Sequence, residues 1–355
     1  MDLTSSGDQS MTARRAEAEE AKKSGQERAR HGSADVGDGP DGPHELGRSS
    51  WWAILRRTGG EFVEDQLADR AAALTYYSVL SLFPAMLVLV SLLGVAGRSA
   101  TDKVLENVEK LTPGAARDIL TSAVKQLQDN GGLGSVFAVV GLLLALWSAS
   151  GYVGAFIRCA NAVYDVREGR PLWKVTPIRL GVTVLLMVLA AASALIIVFT
   201  GSLARQAGDL LGMGDAALTV WSFAKWPVLV VLVVSMIATL YWASPNAKGR
   251  GLRWISPGSV LALVLWLIAS GGFALYVANF SSYNKTYGAL AGVIVFLMWL
   301  WITNLAILLG LEFDSEMARE HAIADGMPAG EEPYVEPRDT SAWNEADRKA
   351  MGAEE

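Results

Sequence analysis

The chain has 355 residues, a formal net charge of −6 and a hydrophobic fraction of 52 %, with a mean hydropathy of +0.30. The length would suit one or two soluble domains, but this apolar content exceeds what a soluble surface carries. Charge is uneven: residues 1–70 hold 10 basic and 14 acidic residues, residues 312–355 hold 4 and 13, and the stretch between them holds 16 and 9.

Residues 1–50, rich in Gly, Ser, Asp and Ala, cannot bury enough apolar surface to offset chain entropy and are expected to be a disordered tail. No cleavable signal peptide precedes the first apolar run near Ala71, so the first span is expected to act as an uncleaved signal. Trp51-Trp52 followed by Arg56-Arg57 suits an anchor at lipid headgroups. Glu61, Asp65 and Asp69 fall at i, i+4 and i+8, opposite Val63, Leu67 and Ala71. That pattern predicts an amphipathic helix lying on the membrane.

Six uncharged runs follow: 27 residues after Arg70, 28 after Asp129, 25 after Arg179, 22 after Lys225, 31 after Arg253 and 26 after Lys285. A helix needs about 20 apolar residues to cross a ~30 Å hydrocarbon core, so all six qualify. The fold class is therefore all-α: a polytopic membrane protein with six transmembrane helices over 51–317, an amphipathic N-terminal helix, and disordered tails at 1–50 and 318–355. Pro84 lies inside the first span, where it removes a backbone hydrogen bond and predicts a kink. The 158–179 connection carries 5 basic residues in 22 positions and the 248–253 connection 3 in 6, whereas the 98–129 loop balances 5 basic with 5 acidic. By the positive-inside rule both termini face the cytoplasm. The single cysteine, Cys159, excludes an intramolecular disulfide and a cysteine metal cluster.

Several polar positions near the spans are candidates for function. Asn161 and Asp165 stand at i, i+4 where the second span leaves the membrane, and Asp165 can pair with Arg158 or Arg167. This suits a fixed helix exit or, alternatively, a gating or substrate contact. Tyr283-Asn284-Lys285-Thr286-Tyr287-Gly288 reads as a tight turn in which Gly288 supplies a positive φ and Asn284 caps. The competing reading is an outward recognition loop for a headgroup or anion. Asn304, within the last span, suits an interhelical hydrogen bond or a solute pathway. Gly271, Gly272 and Ala274, and Ala289 with Gly292, read as close helix contacts. Glu312 and Glu316, at i, i+4 with Asp314 between, are read as solvated acids and as weak metal candidates lacking a third ligand.

Nuclease chemistry finds little support. His31, His44 and His321 all lie in the expected tails, and no His-x-His, Ser/His/Asp arrangement or Gly-rich phosphate loop is present. The basic residues are accounted for by topology, so no nucleic acid is expected as a partner.

Three separated stretches carry a family resemblance. The first runs from Ala71-Ala72-Ala73-Leu74-Thr75-Tyr76-Tyr77-Ser78 to Phe83-Pro84. The second joins Trp147-Ser148-Ala149-Ser150-Gly151 to Asn161-Ala162-Val163-Tyr164-Asp165-Val166 and Arg170-Pro171-Leu172-Trp173. The third joins Leu240-Tyr241-Trp242-Ala243-Ser244-Pro245-Asn246, Tyr276 to Phe280, Tyr283 to Gly288, and Leu309-Gly310-Leu311-Glu312-Phe313. Over about residues 55–317 the chain resembles the YihY/virulence factor BrkB family, formerly labelled ribonuclease BN. The resemblance implies a six-helix bacterial inner-membrane protein of poorly established activity, whose nuclease label is widely regarded as a misassignment.

The expected function is that of a non-enzymatic plasma-membrane protein transporting lipids or other amphipathic envelope molecules. A non-transporting envelope scaffold is the alternative, and a tRNA-processing ribonuclease comes last. Membrane lipids are the expected partners, a homo-oligomer is left open, and no cofactor is called for. The candidate pathway or recognition residues are Tyr76, Tyr77, Pro84, Asn161, Asp165, Asn284, Tyr287, Gly288 and Asn304.

Overall fold

The computed structural model describes residues 48–95, 134–198, 215–248, 256–279, 289–328 and 334–350. The 98–129 loop and the turn bearing Asn284, Tyr287 and Gly288 lie outside the described residues. Within them the chain is helical: α1 (Arg48–Glu64), α2 (Leu67–Val95), α3 (Gly134–Val163), α4 (Leu172–Val198), α5 (Asp215–Ala243), α6 (Pro257–Asn279), α7 (Ala289–Ala324) and the short α8 (Glu345–Ala350).

Four of these helices are long and apolar enough to cross a membrane: Leu172–Ile197, Leu218–Ala243, Pro257–Ala278 and Leu290–Ala324. Helices α2 and α3 occupy the first two of the six expected runs but are not among the four that meet this criterion over the described residues. Large apolar side chains cover the outside of the bundle, Ile197, Phe223, Ile268 and Leu275 among them. That is the surface a hydrocarbon solvent requires. Position 84 lies within the helical stretch of α2, and the side chain of Pro84 is outside the described set.

The expected amphipathic surface helix is replaced by a different arrangement. α1 stops at Glu64, and Gln66 adopts φ 52° before α2 begins. Glu61, Asp65 and Asp69 therefore do not share one continuous helical face. α1 packs on α7: Ile54 is fully buried with Phe313 and Met317, and the Trp51 ring stacks on Phe313 at 6.0 Å between centroids. Arg57 pairs with Glu316 and Glu320 of α7. Trp51 and Arg57 are thus held by protein, whereas Trp52 and Arg56 are exposed.

The core lies where α2, α3, α5 and α7 meet, built on Leu67, Leu74, Phe156, Leu308 and Leu311. Helix α2 packs along α3, α6 along α7, and α7 also touches α1 and α2. The end of the bundle where α3 and α5 finish and α4 and α6 begin is termed the basal end below. Helix α3 terminates there in a Schellman motif: the Val166 N–H donates to the Asn161 carbonyl at 2.9 Å and the Asp165 N–H to that of Ala162 at 3.0 Å. Asp165 occupies the left-handed position at φ 51°, which Gly or Asn more often fills.

Helix α6 opens with Pro257, whose missing N–H is no loss in the first turn. Ser256 caps it by accepting from the Ser259 N–H at 3.1 Å. Asp314 of α7 accepts from the Gly258 N–H at 2.7 Å, placing a carboxylate at the positive end of the helix dipole.

The boundary expected between 317 and 318 falls inside α7, which continues to Ala324. Residues 334–350 fold back onto the basal end, so the expected disordered tail does not describe them. Ala247 and Pro337 form an isolated antiparallel bridge. Asn344 and Asp347 cap α8 reciprocally, at 2.8 and 3.3 Å.

Candidate functional site

Polar side chains gather at three levels along α7. The innermost is centred on Asn304, which is 3 % exposed. Its Oδ1 accepts from the Tyr152 hydroxyl of α3 at 3.0 Å. Its Nδ2 donates to the Thr75 hydroxyl of α2 at 3.1 Å and to the Leu300 carbonyl at 3.0 Å. One amide thus ties three helices, the use a polar group buried in an apolar bundle demands.

Nearby, Tyr76 faces outward and Tyr77 packs inward with its ring edge-on to that of Tyr76. Arg158 lies over the Tyr77 ring at 5.9 Å and donates to its hydroxyl at 3.4 Å. Gly154 lets the Arg179 side chain cross α3, where its guanidinium reaches the Ser150 hydroxyl at 2.8 Å.

The second level is a carboxyl cluster between α1, α2 and α7. Glu312 and Glu316 are each 1 % exposed, which corrects the expectation of solvated acids. Glu316 is held by Arg57 and Arg319, and Arg319 also reaches Glu61 at 3.2 Å. Glu312 Oε2 is buried without a hydrogen-bond partner. The two glutamates therefore do not converge on one ion, and among the described residues no three His, Cys, Asp or Glu side chains form a metal-binding group. Burial pushes Asp65 above the ordinary carboxylate range even though Arg70 opposes it. Glu61 rises for the same reason, with Glu316 and Glu64 adding repulsion.

The third level is a latch at the basal end. Asn246, fully buried, donates its N–H to Asn161 Oδ1 at 2.6 Å. Its side-chain Nδ2 donates to the carbonyls of Arg167 at 3.1 Å and Asp339 at 2.8 Å, and its Oδ1 accepts from the Asp339 N–H at 3.1 Å. Asn161 Nδ2 donates to Glu168 at 2.9 Å. Arg170 holds Glu168 through its guanidinium and reaches the Ser244 carbonyl at 2.7 Å. Desolvation pushes Glu168 up, but these bonds from Arg170 and Asn161 outweigh it and hold the carboxyl below its usual range. Lys174 and Ser341 hold Asp339 well below its own.

Tyr334, buried, places its hydroxyl 2.6 Å from Ser315 Oγ and 3.2 Å from the Val163 carbonyl. Asn161 and Asp165 thus serve one junction by different means. Of the two arginines expected beside Asp165, Arg167 pairs with Asp347, and Arg158 donates to Tyr77 and to the Gly154 carbonyl.

Beside the latch a cavity of about 570 Å³ opens between α5, the start of α6, the far end of α7 and residues 334–338. Its apolar lining includes Val234, Ala238 and Trp242, and its polar lining includes Tyr164, Asp314 and His321. None of Tyr76, Tyr77, Asn161 or Asn304 borders it, so the predicted residues do not share this space. His321, expected in a tail, sits in the last turn of α7 with its Nδ1 2.6 Å from the Met317 carbonyl. Sequence reading missed Asn246, Glu168 and Tyr334. Asn246 was legible as the end of the Tyr241-to-Asn246 motif, but a lone polar residue after a span gives no hint of partners 79 to 93 positions away.

Among the described residues, an all-helical bundle with an apolar exterior and polar ties in its interior and at one end defines a polytopic membrane protein. The model of the virulence factor BrkB family matches residues 58–333, and the chain belongs to that family. It is 33 % identical over 280 residues to a protein of Bacillus subtilis (strain 168) named ribonuclease-like YfkH, covering 78 % of this chain and 99 % of that one. It is 30 % identical over 287 residues to a UPF0761 membrane protein of Xanthomonas oryzae pv. oryzae (strain PXO99A), covering 77 % of this chain and 63 % of the relative. A UPF0761 membrane protein of Xanthomonas campestris pv. campestris (strain 8004) matches to the same extent. No solved structure matches.

Proposed function

We propose that this protein is a plasma-membrane transporter of lipids or other amphipathic envelope molecules, without catalytic activity and with both termini in the cytoplasm. The observation that carries the reading is the cavity beside the latch. Its lining divides between apolar side chains from α5 and hydroxyl, carboxyl and imidazole groups from Tyr164, Asp314 and His321. A volume of about 570 Å³ falls within the ~300–1,000 Å³ of ordinary ligand sites, and its divided chemistry suits a molecule with a polar head and an apolar body. The orientation rests on the basic residues of the 158–179 and 248–253 connections, which the positive-inside rule assigns to the cytoplasm.

Reconstitution in liposomes tests the reading, with movement of fluorescent lipids and degradation of labelled RNA followed side by side. Lipid movement is expected in wild type and should fall at least several-fold in Ala238→Trp, which fills the cavity. RNA cleavage without lipid movement would restore the nuclease. Loss of both activities would favour the scaffold, although the described acids Glu336, Asp339 and Asp347 already pair within the chain, with Lys248, Lys174 and Arg167. Orientation is checked in a Cys159→Ser background. A cysteine at Gly249 should resist impermeant reagents in intact cells, and one at Gly132 should react.

A further inference from the structure

We propose that Arg158 of α3 and Arg179 of α4 bind the phosphate of an anionic membrane lipid whose acyl chain lies along the outer stripe of α3. Arg158 stands five positions before the end of α3, and Arg179 seven after the start of α4. Both backbones are therefore roughly 8–11 Å in from the basal end, at about 1.5 Å per residue. A charge at such a depth is costly unless something pairs with it. Among the described residues neither arginine meets a carboxylate, in contrast to Arg57, Arg167, Arg170 and Arg319, which all do.

Their protein partners are neutral. Arg158 donates to the Tyr77 hydroxyl at 3.4 Å and to the Gly154 carbonyl at 3.0 Å, and Arg179 donates to the Ser150 hydroxyl at 2.8 Å. A guanidinium has five N–H donors, so most of them remain for a ligand. Arg158 is exposed and Arg179 half-buried. The two side chains meet at Gly154: Arg158 bonds its carbonyl, and a Cβ built there would stand 3.2 Å from Arg179 Nη1. Two planar, forked donors around one glycine suit a phosphate, whose oxygens accept from guanidinium groups in pairs. Arg179 also runs against the direction of a side chain reaching for water. Its Cδ passes Gly154 and its guanidinium ends at Ser150, one turn further from the basal end, whereas a snorkelling arginine extends the other way.

The occupant follows from what adjoins the arginines. Leu143, Trp147, Gly151, Gly154 and Arg158 are spaced four, four, three and four apart, which puts them on one stripe of α3. Leu143 is 61 % exposed and Trp147 75 % exposed. From Trp147 to Arg158 the helix rises about 16 Å, about half of a ~30 Å hydrocarbon core. A lipid with its phosphate at Arg158 can lay one acyl chain along this stripe within a single leaflet, and free phosphate would leave the stripe uncovered. With no carboxylate beside the arginines to receive an ammonium group, a lipid of net negative charge fits better than a zwitterionic one. None of these residues borders the cavity between α5, α6 and α7. This is a second site, and it stands whether or not the chain transports.

Native mass spectrometry of the full chain, delipidated in detergent, tests it with phosphatidylglycerol, phosphatidylcholine and inorganic phosphate as separate probes. Wild type should hold phosphatidylglycerol about tenfold more tightly than phosphatidylcholine, and inorganic phosphate should not bind measurably. The double variant Arg158→Gln, Arg179→Gln should lose about tenfold or more in affinity for phosphatidylglycerol. Arg56→Gln, which removes an exposed cation from α1, should lose nothing. Equal affinity for the two lipids, unchanged affinity in the double variant, or an equal loss in Arg56→Gln overturns the proposal. Binding of inorganic phosphate without a preference between the lipids overturns it as well, in favour of a free-anion site. Should the double variant fail to fold, Arg158→Gln decides alone, because that side chain is exposed: unchanged affinity for phosphatidylglycerol overturns the proposal. Binding is read without any movement of lipid, so failure of transport in liposomes counts against the transport reading alone.

Discussion

The Gly310 carbonyl lies so close to Gly258 that a Cβ built at 258 would stand 2.0 Å from it, and one at 310 would stand 2.4 Å from the Gly258 carbonyl. This is the crossing of α6 and α7. It sits beside Asp314, which receives the Gly258 N–H, and beside Tyr241, whose hydroxyl donates to the Ile307 carbonyl. Gly310→Ala should therefore destabilise the bundle by about 1–3 kcal/mol through overpacking. Gly271 meets nothing within 4 Å, so Gly271→Ala should stay within about 1 kcal/mol of wild type. Thermal unfolding in detergent, the two variants side by side, checks both.

At the Asn304 node, Tyr152→Phe removes one donor and leaves the amide its other partners. A loss of about 1 kcal/mol is expected. Asn304→Ala instead strands the Tyr152 hydroxyl in the interior, and a loss of roughly 2–3 kcal/mol is expected. Equal losses in an unfolding titration would show that the node is not organised around the amide.

The latch predicts a local effect. Asn246→Ala deletes the side-chain bonds to Arg167 and Asp339 while the backbone bond to Asn161 can persist. Residues 334–350 should then become accessible to protease at least tenfold faster. A pattern of cleavage unchanged from wild type would mean that Tyr334 and Arg338 suffice to hold the segment.

The two acidic regions respond to pH in opposite senses. Glu168 and Asp339 lie below their unfolded values, so the latch is stabilised fully above about pH 5 and loses that contribution as pH falls through their native values. Asp65 and Glu61 lie above theirs, so their contribution is present at low pH and lost as pH rises through the native values. Hydrogen exchange, corrected for intrinsic rate, should show 334–343 loosening on acidification and α1 loosening as pH is raised.

Much of the helical plan was legible because long uncharged runs have one main structural outcome. The runs after Arg179, Arg253 and Lys285 correspond to α4, α6 and α7. Helix ends were harder. Helix α5 begins at Asp215, ten residues before Lys225, because a single cation can rest over the Trp226 ring without ending a helix. The close glycines were misassigned from spacing: Gly271, Gly272 and Gly292 have open space, whereas Gly258 and Gly310 make the contact. Spacing identifies a small face but not whether another helix lies on it. Asn304 was readable as an amide in an apolar run. Glu312 and Glu316 were not readable as buried, since the helix that packs here and supplies Arg57 to Glu316 lies 259 positions earlier.

Helix α7 has 36 residues, about 54 Å at 1.5 Å per residue, against a hydrocarbon thickness of ~30 Å. From Glu312 to its end at Ala324 it forms a lever of roughly 20 Å. A tilt of about 10° in the embedded part would carry the far end sideways by about 3–4 Å, given the stiffness of a continuous helix. Asp314 and His321 ride on that arm and line the cavity, while Leu308 and Leu311 lie at its fulcrum in the core. Small rotations among packed apolar side chains would thereby become displacements the size of a functional group at the chamber wall.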